Sequence, residues 1–392
     1  MKTCVLASLK YSPVFWSLAS VMRDGLNAAG FPTVGLMSQD YRWMINGESG
    51  SCHFPTTSRN VATMLGDSLR FMAGQRRWYR QFFADHCATA LLFLNPHPLN
   101  FAVARLAKNQ DPSTLSLAFL HEPHKYDKMA FALHRRLYFH CVEAFQRLSV
   151  AAADIVVVHS SRAEQAFRRA YPRFSGHLRQ VPLLFPDAAG SERSFPVAPD
   201  TDDRRFITFL GHAVESKGFD KFLQVVQAAA DRGLGLAFQI VTRSRIDREL
   251  ARLDPRARAT LTIIQGQAIS DEAIDRAARA STAILAPYRA VTQSAVVPVA
   301  FRNGTPVIAT AIEGLLEVVS DGRTGFLVSP GASVEEILGS IQRARSQIHS
   351  LSRHCRAEFD ERFSARNWLR EYAWLVERLA PQSGAVGPAT GT

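Results

Sequence analysis

Cysteine is scarce in this chain: Cys4, Cys52, Cys87, Cys141 and Cys355 are the only five in 392 residues, and none forms a C-x-x-C pair or a Cys/His ligand spacing. That scatter argues against a disulfide framework and against a structural zinc site, and it fits a reducing cytoplasm. Long apolar runs are missing too. The longest, such as Ala88 to Leu94, fall far short of the ~20 residues that cross a bilayer. The run Cys4 to Leu9 is short, is followed by Lys10 and Tyr11, and lacks a small-residue cleavage pattern, so it reads as a first strand rather than a signal segment. There is no internal repeat, and the one low-complexity tract is the Gly, Pro and Ala-rich tail 381–392, read as disordered.

What is present is a globular composition, 47% hydrophobic, in a chain longer than one core usually serves. Two domains of roughly 150 to 200 residues are the natural expectation. Apolar strands alternate with amphipathic helices throughout. Strands are expected at Thr3 to Leu9, Thr33 to Met37, Ala88 to Leu94, Leu115 to Leu120, Asp154 to His159 and Leu178 to Pro182, with helices between them such as Trp16 to Ala29. The alternation breaks at Pro186 to Asp203, rich in Pro, Ser and Asp, and restarts with Phe206 to Leu210, Ala237 to Val241, Thr260 to Ile264, Ala283 to Ala286 and Pro306 to Ala309. Such βαβ alternation implies parallel sheets covered on both faces, an α/β fold with a linker at the break.

Acidic residues are outnumbered, 35 against 46 basic ones, for a net charge of +11. Residues 1–190 hold 21 Lys and Arg against 12 Asp and Glu, so most of the excess lies in the first half. Two segments concentrate it. Arg70 to Phe83 interleaves Arg76, Arg77 and Arg80 with Trp78, Tyr79, Phe82 and Phe83, and Lys125 to Arg147 carries Lys125, Lys128, Arg135 and Arg136 on a helical pattern. An anionic membrane surface, a nucleic acid and an ordinary solvated face compete for that charge. Basic side chains beside aromatics suit an interfacial helix, whereas no helix-turn-helix, RNP-like or zinc-finger pattern speaks for nucleic acid.

Three stretches carry chemistry. In Pro287 to Gly331 a strand end, a polar loop, a short helix, a buried strand and a Gly-punctuated loop follow one another. Gln293 and Ser294 precede the apolar run Ala295 to Phe301, so free amides of a helix start face the loop, and such amides favour anions. Gly304 and Pro306 then stop the helix and launch the strand Val307 to Ala309. Upstream, Phe206 to Leu223 reads as a strand, then Gly211 and His212, then Lys217-Gly218 opening an amphipathic helix. Glycine lets backbone approach a ligand, and a lysine at a helix start adds mobile positive charge, which suits a diphosphate. In the first half, the strand Thr114 to Leu120 ends in His121-Glu122-Pro123.

Together these runs resemble GT-B glycosyltransferases of the retaining family 4 (group 1) type, whose members carry a similar G-x-P-V-I-A-T run, here Gly304 to Thr310, and a G-x-x-E-x-V-x-D-G-x-T-G-x-L-V run, here Gly314 to Val328. The resemblance implies two Rossmann-like domains with parallel sheets facing across a cleft. It implies an acceptor-binding domain at 1–190, a nucleotide-sugar domain at 191–362, a helix at 363–380 crossing back to the first, and the tail 381–392. It further implies transfer of a sugar from a nucleoside diphosphate to an acceptor hydroxyl with retention. Its catalytic residues fall on His121, Glu122 and Lys217, and its donor contacts on Gly211, His212, Lys217, Arg243, Gln293, Ser294, Ala295, Val296 and Glu317. Arg76, Arg77, Trp78, Arg80, Lys125, Lys128, Arg135 and Arg136 would form a membrane or acceptor surface. No metal or cofactor is expected beyond the nucleotide sugar as co-substrate, Asp202-Asp203 reading as solvated charge. A glycan or lipid-linked acceptor of surface polysaccharide type, met by a cytoplasmic protein peripheral to the inner membrane, completes the expectation, with no nucleic-acid partner.

Departures stand beside the matches. The two glutamates that many family members space as E-x7-E fall on Val291 and Val299, Ala295 replaces a loop glycine, His212 replaces an arginine, and Lys10-Tyr11-Ser12-Pro13 replaces a Gly-Gly turn. A GT-B-shaped carbohydrate-binding or partner subunit without activity is therefore the alternative, and a nucleotide-sugar epimerase of the same shape a further one.

Overall fold

Runs such as Phe206–Leu210 and Ser281–Ala286 leave no residue facing water, which places them inside parallel sheets rather than on a one-sided antiparallel face. The computed structural model describes residues 3–12, 14–44, 52–121, 133–187, 204–266, 269–291 and 294–380, and among them thirteen strands form two wholly parallel sheets. The first contains β1 (Thr3–Ser8), β2 (Thr33–Ser38), β3 (Cys52–Thr56), β4 (Ala88–Phe93), β5 (Leu115–Phe119), β6 (Ile155–Val158) and β7 (His177–Gln180) in the order β3-β2-β1-β4-β5-β6-β7. The second contains β8 (Phe206–Leu210), β9 (Ala237–Thr242), β10 (Leu261–Gln265), β11 (Ser281–Ala286), β12 (Val307–Thr310) and β13 (Gly325–Val328) in the order β10-β9-β8-β11-β12-β13. Each order reverses once, between β1 and β4 and between β8 and β11. In doubly wound sheets the crevice beyond the strand ends at such a reversal is where ligands bind.

Two strands escape the sequence reading. β3 carries His53 and Pro55 and lies at a sheet edge, where a residue without a backbone donor is tolerated. β13 is four residues long and follows a turn held by Gly322 N to Gly325 O at 2.8 Å and Leu327 N to Asp321 Oδ1 at 2.8 Å, so glycine-rich turn chemistry masks it.

The chain divides into two compact units, and not at a single cut. The first comprises residues up to Val158, Tyr171–Val181 and the chain from Trp368; the second comprises His159–Ala170 and Pro182–Asn367. The helix Ser161–Ala170 thus counts with the second unit although β6 and β7 flank it in sequence. Glu317 explains this locally: its carboxylate accepts from the amides of Ser161 and Arg162, each at 3.1 Å, donors that a helix start leaves without an intrahelical acceptor, and Arg162 forms an ion pair with Glu313. The linker at Pro186 to Asp203 lies outside the described residues except for its first two, as does the tail.

The second unit's core has two halves, one on each face of its sheet. Phe209, Phe222, Phe238 and Ile308 belong to one, and Val297, Phe301, Val307 and Phe359 to the other. In the first unit Val5, Leu36, Leu91 and Phe93 meet Tyr79, Phe83 and Val103.

The stripe Trp368, Tyr372, Leu375 and Leu379 is buried, but its helix is broken into Trp368–Glu371 and Ala373–Leu379. Within the first unit Trp368 Nε1 lies 3.4 Å from Met22 Sδ, its ring stacks on Tyr372 at 5.1 Å, and a Cβ on Gly25 would overlap the indole. Trp368→Ala should therefore cost about 3–5 kcal/mol. Urea unfolding measures it, and a loss within experimental error of zero would remove the indole from that core.

Candidate functional site

At the β8/β11 reversal two loops are bolted together. β8 is followed by Gly211, whose φ of +120° suits glycine and whose amide donates to Val241 O at 2.9 Å. The chain then makes a short 3-10 turn, Glu215–Lys217, and enters the helix Phe219–Asp231 through Gly218 at φ +65°. A Cβ at Gly218 would overlap the carbonyl of Pro287, the residue that follows β11. Ser216 O accepts from Arg289 N at 3.0 Å, and the Arg289 guanidinium reaches Glu215 at 2.6 Å and Asp220 at 2.5 Å. The 211–218 loop is thereby held against the 287–290 loop by backbone as well as charge.

Lys217 sits on this junction with Nζ 4.0 Å from the Tyr288 ring centroid. A cation–π contact of this kind orients the ammonium over the ring face. Tyr288 is buried, and burial pushes its phenol up to about 12 against the opposing effect of the Ser294 hydroxyl, so it stays a neutral wall. The next loops are tied in by Ser244, whose Oγ accepts from Ala213 N at 3.1 Å and whose carbonyl accepts from Gln265 Nε2 at 2.9 Å. Arg243 is half-buried and donates to Ile269 O at 3.3 Å.

His212 is held below its ordinary value, first by partial burial and then by the positive charges of Arg243 and Lys217. It is thus neutral at pH 7 while the site is empty. The same shift shows that these three side chains feel one another electrostatically. An anion set among them would raise His212 and draw a proton onto it.

The other wall is the helix Val296–Arg302, entered from Ala295. Val296 Cγ2 lies 3.7 Å from where a Gly211 Cβ would be, so this helix start and the β8 loop are neighbours. Amides at a helix start have no intrahelical acceptor, and Pro298 adds none. Ser294 is buried. Val291 is buried and Val299 partly so, both in the apolar cluster with Tyr288, Val297 and Phe301. The positions where relatives carry glutamates are here part of the core.

The sequence-chosen residues thus divide. Gly211, His212, Lys217, Arg243, Ser294, Ala295 and Val296 line the ends of β8, β9 and β11, whereas Gln293 lies outside the described residues. Glu317 is engaged at the start of the Ser161–Ala170 helix, and as a donor contact it would have to release two amides. His121, half-buried, follows β5 in the first unit; Glu122, Lys125 and Lys128 lie outside the described residues. Arg76, Arg77, Trp78 and Arg80 are exposed on the helix Arg76–His86, and Arg135 and Arg136 fall on the helix Leu133–Ala152. Sequence reasoning missed Arg289 and Tyr288, although their place directly after a buried strand was the available signal. Among the described residues no three His, Cys, Asp or Glu side chains are grouped to hold a metal.

No curated protein matches the sequence. Among solved structures, WaaG, described as a glycosyltransferase involved in lipopolysaccharide biosynthesis, superposes with a TM-score of 0.68 at 14% identity, over 96% of this chain and 99% of its own. Sucrose-phosphate synthase from Thermosynechococcus elongatus gives 0.67 at 16%, over 97% and 99%, and HepE from Anabaena, solved with UDP, 0.67 at 13%, over 96% and 100%. The chain spans only 59% of the pneumococcal O-GlcNAc transferase GtfA, with a TM-score of 0.53 at 12% identity over 76% of this chain. The fold is that of the GT-B glycosyltransferases, and residues 204–346, the greater part of the second unit, match the family model described as Glycosyl transferases group 1.

Proposed function

We propose that the protein is a retaining glycosyltransferase that moves a sugar from a nucleoside diphosphate to a hydroxyl of a glycan or lipid-linked acceptor, without a metal, in surface polysaccharide synthesis at the inner face of a membrane. The observation that carries this reading is the fused pair of loops at the β8/β11 reversal, which holds Lys217 on the Tyr288 ring beside His212 and Arg243. Breaking a glycosyl–phosphate bond puts negative charge on the departing diphosphate. Lys217, a His212 that gains a proton, and the amides at the start of Val296–Arg302 are the groups that answer that charge. Arg243 and the Gln265 loop serve ribose and base. His121 and Glu122 serve the acceptor side of the reaction. Val291 and Val299 favour a second reading, a GT-B-shaped subunit that binds carbohydrate without transferring it, because both lie in apolar packing where relatives place carboxylates.

Calorimetry with UDP, GDP and ADP in EDTA separates the two. Saturable binding of one nucleotide supports the transferase, and its sugar conjugates then supply the donor for an NMR assay of anomeric configuration. A folded protein that binds none of them gives the lead to the partner subunit.

His212 adds a pH test. Its pKa is lowered in the empty site and raised by a bound diphosphate, so the complex holds more protons than the free protein. Affinity should rise as pH falls from about 7 toward the lowered free-state value and flatten below it. Titrations in buffers of different ionisation enthalpy should show proton uptake that His212→Gln removes; equal uptake in both proteins would take His212 out of the site.

A further inference from the structure

The helix Val61–Arg70 is apolar on two sides. Its inner side buries Met64, and Phe71 just beyond it, while the buried Asp67 between them is taken up by Thr57, Ser58 and Arg70. Its outer side shows Leu65, Leu69 and Met72 to water at 50%, 63% and 71% exposure. Steps of four and three residues set these three in one line along the helix, and the exposed Ala62 and Ala73 extend it at the same spacing. Core packing does not ask for two leucines and a methionine there. Scattered exposed apolar residues are ordinary on a protein surface; an aligned stripe is not.

The stripe ends, with Met72 and Ala73, in a π-helical segment, Phe71–Gln75, whose Gly74 at φ +150° leads into the helix Arg76–His86. Arg76, Arg77 and Arg80 are exposed on it, and none of the three makes an ion pair among the described residues. Trp78 is 38% exposed, its ring stacked on Phe82 at 5.5 Å and edge-on to Tyr79 at 5.1 Å, so it is fixed by the core and still reaches solvent. Arg70 is already matched by Asp67, and Asp85 accepts from Gln81.

We infer that residues 62–80 form a wedge that docks this protein on an anionic bilayer, with Leu65, Leu69 and Met72 entering the acyl boundary and Arg76, Arg77 and Arg80 lying on lipid phosphates. An apolar ridge bordered by uncompensated cations matches the layered chemistry of such a surface, apolar below and negative above. A tryptophan held half in and half out suits the interface between the layers. Among the described residues no helix is long and apolar enough to cross a membrane, so the contact is one of lying on the surface. It concerns the first unit alone and stands whether or not the second binds a nucleotide.

Flotation of the full chain with vesicles of phosphatidylcholine, alone or with 30% phosphatidylglycerol, tests this. The wild type should partition onto the anionic vesicles and leave them as salt is raised. Replacing all three arginines with glutamine should weaken binding, about fivefold per residue. L65S/L69S/M72S should abolish flotation while circular dichroism and thermal melting remain those of the wild type, and brominated lipid should quench the wild type more than Trp78→Phe. Equal binding to both vesicle types, full binding by the serine triple variant, or a stripe whose removal instead dissociates a protein dimer in sedimentation velocity would each overturn the assignment.

Discussion

Lys217→Ala should lower kcat/KM for sugar transfer by about 10²–10³-fold, the range found when one preorganised contact to developing charge is removed. The fold should hardly notice. Lys217 is half-buried, and its described side-chain contact is the cation–π contact with Tyr288, worth roughly 0.5–1 kcal/mol at a partly exposed site. The two effects differ in size because the contact with the Tyr288 ring is weak, whereas the ammonium faces the full developing charge of a diphosphate in the site. Lys217→Arg should recover part of the binding and less of the rate, since a planar fork cannot replace a compact charge placed over an aromatic face. Nucleotide calorimetry, urea unfolding and steady-state rates separate these contributions. A variant with wild-type rate and affinity would remove Lys217 from the site.

The α/β plan of two parallel sheets was readable because inner strands are largely apolar runs, and Phe206–Leu210, Ala237–Thr242 and Ser281–Ala286 are such runs, interrupted only by buried Thr208, Gln239, Thr242, Ser281 and Thr282. Position in the sheet is what sequence conceals. Edge strands β7 and β10 show most of their residues to water, and half-buried β3 with its His and Pro has no strand pattern at all. At the candidate site the loop glycines and Lys217 were legible because backbone conformation and helix starts leave local marks. The Arg289 clasp on Glu215 and Asp220 was not, since it joins residues about seventy positions apart. The direction of the His212 shift was not legible either, since it is set first by partial burial and then by Arg243, which arrives from the end of β9. Glu317 follows a recognisable run, yet what it touches is set by a helix some 150 residues earlier. The exposed line Leu65, Leu69 and Met72 has a helical period that would equally suit a buried face, and only burial tells the two apart.

Gly218→Ala should damage stability and ligand binding together, and a second glycine provides the control. Gly233 has φ +57° with nothing within 4 Å of a prospective Cβ, so Gly233→Ala pays only for the left-handed backbone, roughly 1–2 kcal/mol. Gly218 shares that backbone region at φ +65°, but its Cβ would be driven into the Pro287 carbonyl, which is main chain and cannot swing aside as a side-chain end would. Adding a methyl to packed structure typically costs a further 1–3 kcal/mol or so, which brings Gly218→Ala to roughly 2–5 kcal/mol. Relief requires the 287–290 loop to move off Ser216, and that separates Tyr288 from Lys217 and loosens the Arg289 bridge. Nucleotide affinity should therefore fall in Gly218→Ala even under conditions where the protein is fully folded, and should stay unchanged in Gly233→Ala. Urea unfolding of both variants alongside calorimetry on the folded proteins makes the comparison. Equal destabilisation with intact binding in both would mean that the two loops are not rigidly joined, and the site would then owe its form to the ligand rather than to the junction.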